Sequence, residues 1–171
     1  PLERFRVVAQ YFKDRGYTIV ELGKDIPSLE IADYDFRDKT SIHEACDIIS
    51  GCRLFIGVDS ALANLAMTEL HIDRGEGKLK GIRSIRDKSY LDRKVLILFG
   101  SQEPKRILID RPIYQSFVGI QADLGCKSCL VWSEQPRQVD CFRHDVRNLC
   151  MEKITPEMVI EKALELLGES P

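Results

Sequence analysis

Two short segments of the chain are almost entirely apolar, and they limit what the chain can fold into. Residues 53–58 read RLFIGV and residues 94–99 read KVLILF. A strand with one face in water alternates apolar and polar residues, whereas a strand of a parallel sheet with helices on both faces is apolar throughout. We therefore predict two buried strands of a parallel sheet.

Helical segments are expected between and around these strands. Apolar residues recur at helical spacing near the N-terminus and after Ser41, with Thr40 or Ser41 as the cap, and residues 17–22 (YTIVEL) are typical of another strand. The helices are expected at residues 2–15, from 41 onward, at 61–70 and at 155–168. This alternation predicts an α/β fold, with a Rossmann-like parallel sheet and helices on both faces, in one domain over residues 1–171.

Composition excludes several functional classes. The net charge of −2 and the apolar share of 44% disfavour a nucleic-acid-binding protein and a disordered chain. No apolar run approaches the roughly 20 residues of a membrane span, and the N-terminus has no segment of signal-peptide type. We expect a cytoplasmic protein. Because the chain opens at the edge of a helix without Met, we also expect it to be a fragment.

Residues 71–93 interrupt the alternation between the third helix and the strand at 94–99. Such connections usually take about 2 to 6 residues. Seven basic and four acidic residues give this insertion a charge of +3. It is either a solvated surface loop or a contact for phosphate, an acceptor or another subunit.

Polar residues follow the predicted strands where a parallel sheet binds its ligands, beyond the carboxyl ends. Asp59 and Ser60 come between a buried strand and a helix, and Gly100 and Ser101 follow the next strand. A helix N-terminus suits an anion such as a diphosphate, although a plain helix cap explains Asp59 and Ser60 equally well. Dinucleotide-type GxGxxG and P-loop motifs are absent from the sequence.

Four of the six cysteines lie in one loop, expected at residues 124–151. Cys126, Cys129, Cys141 and Cys150 follow the spacing C-x2-C-x11-C-x8-C. Four thiolates suit a tetrahedral structural zinc or iron site, which leaves no open position for catalysis. Two disulfides or four free thiols are the alternatives, and His144 is a further candidate ligand.

Several segments, in order, resemble the C-terminal half of heptosyltransferase-like glycosyltransferases (glycosyltransferase family 9). The resemblance rests on KTSIHEA at 39–45, LFIGVDSALANLA at 54–66, LFG at 98–100, CKSC at 126–129, Cys141, and CMEKITPEMV at 150–159. It implies the donor-binding domain of a two-domain GT-B enzyme. Such an enzyme transfers a heptose-like sugar from a nucleotide-diphosphate sugar, of ADP-heptose type, with inversion. The implied acceptor is lipopolysaccharide or protein.

The resemblance also implies roles for single residues. Asp59, Ser60 and Ala61 would contact the sugar and diphosphate of the donor, Thr40 and Ser41 would lie near the base, and no catalytic metal is used. The general base would belong to an N-terminal acceptor domain or another subunit, so the 171 residues alone are expected to lack transferase activity. The enzyme would be cytoplasmic or peripheral at the inner membrane. One branch of the family carries a four-cysteine iron finger.

Two positions depart from the family pattern. Ala61 stands where the family has Gly, and Asn64 stands where it has His. The added methyl group crowds a backbone that should approach phosphate closely, and Asn cannot become a cation. The alternative function is therefore a non-catalytic assembly module, with a metal knuckle and a degenerate donor site. A third hypothesis, another nucleotide-using α/β enzyme such as an epimerase, rests on fold analogy alone.

The cysteine spacing predicts about one zinc or iron ion per chain, held by four thiolates. Cys129→Ser is expected to lower the metal content severalfold, as measured by elemental mass spectrometry of the purified protein. Cys46→Ser, which changes a cysteine outside the quartet, is expected to leave it unchanged. Metal-free wild-type protein with four fewer titratable thiols would instead show two disulfides.

Overall fold

The computed structural model describes residues 2–67, 70–72, 79–82, 93–100, 117–124 and 149–171, and residues 70–72 and 79–82 by their backbone alone. The helices are α1 (Leu2–Asp14), α2 (Ile42–Gly51), α3 (Ala61–Ala66), α4 (Leu149–Glu152) and α5 (Pro156–Leu167). The strands are β1 (Val20–Glu21), β2 (Tyr34–Asp35), β3 (Leu54–Val58), β4 (Leu70–Ile72), β5 (Leu79–Ile82), β6 (Lys94–Phe99) and β7 (Phe117–Gln121).

A parallel sheet of three strands, in the order β3-β6-β7, organises the fold. Leu54 pairs with Lys94 and Val58 pairs with Leu98, while Val95 pairs with Phe117 on the other side of β6. β1 and β2 form a separate parallel pair, and β4 and β5 form an antiparallel pair. The chain is thus α/β with a small parallel sheet, as the apolar strands predicted.

β6 is buried on both faces. Residues 95–99 are at most 5% exposed. Leu96 and Leu98 point into one cluster with α1, β7 and α5, which we call core A. Val95, Ile97 and Phe99 point into the opposite cluster with α2, α3 and Phe117, which we call core B. Helices therefore cover both faces of the central strand.

Capping residues set the helix ends where the sequence places them. Ser41 caps α2 in a capping box with Glu44, Ser60 caps α3 and Thr155 caps α5. Gly168 ends α5 in the left-handed conformation, with φ of 68°, which costs glycine little because it has no Cβ.

Several elements differ from the sequence-based expectation. The strand expected over 17–22 is limited to Val20–Glu21, since the side chain of Asp33 accepts the hydrogen bond of the Ile19 N–H group. The helix expected over 61–70 ends at Ala66, and Leu70 begins β4. No helix in the described ranges is long and apolar enough to cross a membrane.

Arg93 ties together two helices that end beside the start of β6. It is buried, and its guanidinium donates to Ile49 O of α2 at 3.2 Å and to Ala66 O of α3 at 2.9 Å. The last carbonyl groups of a helix lack partners within it and carry partial negative charge. Arg93 therefore satisfies both helix ends, and it fixes core B against the sheet.

Replacing this guanidinium should weaken the fold. We expect Arg93→Met to lower the free energy of unfolding by about 2 to 4 kcal/mol, because two buried carbonyl groups lose a charged donor. Urea denaturation measures the difference. Lys24→Met, at an exposed position, is expected to change stability by less than about 0.5 kcal/mol. Equal stability of the two variants would show that Arg93 does not hold the helix ends.

Candidate functional site

Asp59 and Gly100 emerge at the same edge of the sheet, because β3 and β6 are parallel neighbours. The Asp59 N–H group donates to Leu98 O at 3.3 Å, which ties the end of β3 to the end of β6. Gln121, at the end of β7, donates from Nε2 to Gly100 O at 2.9 Å. Three strand ends thus meet at one polar edge, which we call the carboxyl edge.

The start of α3 adds two more of the predicted residues to the carboxyl edge. Ser60 is half-buried, and its Oγ accepts a hydrogen bond from the Ala63 N–H group at 3.3 Å. Asn64 is exposed and donates from Nδ2 to Ser60 O at 3.1 Å. Ala61 is exposed in the first turn. Ser60 is therefore a helix cap whose hydroxyl hydrogen remains available for a second partner.

Asp59 has the perturbed carboxyl group at this edge. The residue is exposed, yet partial desolvation by the surrounding chain raises the pKa of its carboxyl above the ordinary value of 3.8. Desolvation destabilises the charged form of an acid. A carboxylate kept at some cost in stability is typical of functional positions.

Thr40 and Ser41 lie at the start of α2. The Ser41 N–H group and hydroxyl donate to Glu44 Oε2 at 2.7 and 2.8 Å, while Ser41 Oγ accepts from the Glu44 N–H group at 3.3 Å. Within the described ranges, no hydrogen bond joins Thr40 or Ser41 to Asp59 or Ser60. The structure therefore shows Ser41 as the cap of α2, and the expected position of Thr40 and Ser41 near a nucleotide base stays a prediction.

Cys150 is the one member of the predicted metal quartet that lies within the described ranges. It is half-buried in α4, and its Sγ would be 3.5 Å from a Cβ built onto Gly100. Ser101, Cys126, Cys129 and Cys141 lie outside the described residues. Residue 150, which is the last cysteine of the spacing, therefore lies beside Gly100 at the carboxyl edge.

Arg4 holds α4 in this position. Its guanidinium donates to the carbonyl oxygens of Met151 at 3.1 Å, Glu152 at 2.5 Å and Ile154 at 3.1 Å, and to Glu152 Oε2 at 2.8 Å. A cation at the carbonyl end of a helix satisfies groups that have no partner in the helix. Sequence reasoning missed Arg4, since no local pattern links it to a helix almost 150 positions away.

Sequence reasoning also missed a polar cluster in the segment after β1. Glu21 is buried, accepts from the Leu29 N–H group at 2.9 Å and lies 3.6 Å from Arg37 Nε. The Arg37 guanidinium donates two hydrogen bonds to the Asp35 carboxylate, at 3.0 and 2.9 Å. These contacts lie within or beside residues 23–39, whose polar composition alone predicts only turns.

Comparison with known proteins identifies no relative of this chain. No protein-family model matches it, and searches of curated proteins and of solved structures find no match.

Asp59 and Asp35 should have opposite effects on stability. Since the pKa of Asp59 is raised by desolvation, its charged form costs stability above that pKa, and the cost vanishes below about 3.8. The hydrogen bond from Arg37 lowers the pKa of Asp35, so its contribution is present above 3.8 and is lost as pH falls through the lowered value.

We expect Asp59→Asn to be more stable than wild type at pH 7, with an advantage that shrinks as pH falls toward 4. Asp35→Asn, its matched control, should be less stable than wild type at pH 7. Urea denaturation across this pH range measures both differences. A loss of stability in Asp59→Asn at pH 7 would assign Asp59 a structural role instead.

Proposed function

We propose that this chain is the nucleotide-sugar-binding domain of a GT-B glycosyltransferase. The observation that supports this proposal most strongly is that Asp59, Ser60 and Gly100 share the carboxyl edge of parallel strands β3 and β6. In open parallel sheets, ligands bind in the crevice beyond this edge. The resemblance to heptosyltransferases supports a Rossmann-like domain and a donor of nucleotide-diphosphate-sugar type, with a heptose-like sugar transferred with inversion.

Asp59 and Ser60 supply complementary chemistry for such a donor. The Asp59 carboxylate accepts hydrogen bonds from sugar hydroxyl groups. Ser60 accepts from Ala63 through its oxygen, so its hydrogen can be donated to a phosphate oxygen at the same time. When the sugar is transferred, the nucleoside diphosphate leaves with negative charge. Fixed hydrogen-bond donors of this kind stabilise that charge. Thr40, Ser41, Ala61 and Asn64 complete the proposed donor site, with Ser101 beside Gly100.

The four cysteines would hold a structural zinc or iron ion. The donor set fits such an ion, because four thiolates complete a tetrahedral shell, and half-buried Cys150 is close enough to Gly100 to brace the carboxyl edge. The ion would supply a fixed link between the cysteine loop and the sheet. It has no part in the transfer step, which depends on the domain carrying the acceptor site and the general base.

A non-catalytic assembly module is the second candidate. The observation that favours it is that Ser60 already has hydrogen-bond partners within α3. Its Oγ accepts from the Ala63 N–H group, and its carbonyl oxygen accepts from Asn64 Nδ2. A helix start of this kind needs no ligand to complete it. The two functions differ in whether the carboxyl edge binds a nucleotide.

Calorimetric titration of ADP, UDP and GDP into the purified domain separates these functions. We expect one nucleotide to bind, and we expect the variant carrying both Asp59→Ala and Ser60→Ala to lose at least tenfold in affinity, as removal of a charge-assisted contact worth about 1.5 to 3 kcal/mol predicts.

Thr155→Ala is the matched control, because Thr155 caps α5 through the same type of hydrogen bond, at 3.3 Å to Met158. Its affinity should equal that of wild type. If no nucleotide binds to folded wild-type protein, the assembly module becomes the better description. If both variants lose affinity equally, the loss comes from stability and not from the carboxyl edge.

A further inference from the structure

One edge of β3 has no strand partner among the described residues. The Lys94 N–H group donates to Arg53 O at 2.9 Å, and the Asp59 N–H group donates to Leu98 O at 3.3 Å, so residues 53 and 59 face β6. Backbone groups of alternate residues in a strand face opposite sides. The N–H and C=O groups of Leu54, Ile56 and Val58 therefore point away from β6.

β1 presents a second edge of the same kind. Residues 33–38, which include its partner β2, donate backbone hydrogen bonds to the carbonyl oxygens of Ile19, Glu21 and Gly23. By the same alternation, the backbone groups of Val20 and Leu22 point away from β2. β1 and β3 belong to separate sheets and are not hydrogen-bonded neighbours.

These two edges lie in one layer of the fold. Tyr17 and Ile19 pack on core A together with Leu54 and Ile56, whereas Leu22 and Phe55 pack on core B. On each side of the break, the chain therefore has side chains in core A on one face and side chains in core B on the other face.

The amino ends of β1 and β3 are also tied together. The Arg53 guanidinium lies 5.6 Å from the centre of the Tyr17 ring, and Glu169 contacts both residues, at 2.5 Å from Tyr17 Oη and 3.0 Å from Arg53. Both strands therefore start at the same side of the molecule, and the break lies between them.

The faces covered by the helices indicate what would fill this break. Crossover connections between parallel strands are right-handed, so connections that move in opposite directions along a sheet place their helices on opposite faces. α2 and α3 lead toward β3 and β6, and they cover core B. α1 covers core A. A strand that feeds α1 and then β1 must therefore lie on the β3 side of β1.

The direction of α1 agrees with this topology. Arg4, in its first turn, donates to Met151 O, and the side chain of Met151 would be 3.4 Å from a Cβ on Gly100. α1 therefore begins at the carboxyl edge and runs back toward the start of β1. A parallel strand that ends at the carboxyl edge reaches α1 through a loop of about 2 to 6 residues.

We propose that the break between β1 and β3 is a docking slot for one further parallel β-strand, and that this strand belongs to the same polypeptide and joins the N-terminal end of α1. Its side chains would be apolar on both faces, because they meet core A on one side and core B on the other. It would cover Val20 and Val58, each 41% exposed, and unite the two sheets. This inference does not depend on nucleotide binding.

Hydrogen exchange at single amides tests the slot directly. In the 171-residue chain, the amides of Ile56 and Val58 should exchange faster than that of Gly57, which faces β6. Fusing a strand of about six β-branched residues and a short loop to residue 1 should slow the exchange of Ile56 and Val58 about tenfold or more. Gly57 should be unchanged. The matched control is a fusion with proline at alternate strand positions, which cannot donate to a ladder.

Three results would overturn the proposal. The first is exchange of Ile56 and Val58 that is unchanged by the fusion in a folded protein. The second is exchange already as slow as that of Gly57 in the chain alone, which would mean that the chain's own residues fill the slot. The third is protection that rises with protein concentration alongside dimer formation by light scattering, which would assign the slot to a second copy.

Discussion

The burial of β6 on both faces is the constraint on which the rest of the structure depends. A five-residue apolar run leaves water only when both of its faces are covered, and here helices cover both faces of a strand whose two neighbours run parallel to it. Core A and core B are the two results of this requirement. The same parallel arrangement places the ends of β3 and β6 together, so the position of the candidate site follows from the burial of the strand.

Three arginines connect separate parts of the fold through hydrogen bonds. Arg93 joins the ends of α2 and α3, Arg4 holds α4 against the sheet, and Arg37 orders the segment between β1 and β2. The planar guanidinium donates in several directions at once, which suits it to helix ends with several free carbonyl groups. Through Arg4 and α4, Cys150 is held beside Gly100, so this cysteine lies at the same edge as the proposed donor site.

Much of this fold could be predicted because its signals are local. Strand β6 follows from an unbroken apolar run, and the starts of α2, α3 and α5 follow from Ser41, Ser60 and Thr155 as caps. β2 and β7 could not be predicted. β2 has only two residues, which are too few to show a periodic pattern. The pairing of β7 with β6 depends on residues far away in the chain. At the site, Asp59, Ser60 and Gly100 could be placed at one edge because parallel strands end together. The contact of Gln121 with that edge and the contacts of Arg4 with α4 are long-range and leave no mark in the local sequence.

The central claim is that the carboxyl edge of β3 and β6 binds a nucleotide. Amide proton–nitrogen correlation spectra recorded during titration with ADP, UDP and GDP test it most directly, because they report where a ligand binds as well as whether it binds. The account predicts saturable shifts that are largest at the amides of Asp59, Ser60 and Gly100. Saturable shifts confined to other surfaces, or unchanged spectra from a folded protein with every nucleotide, would contradict it.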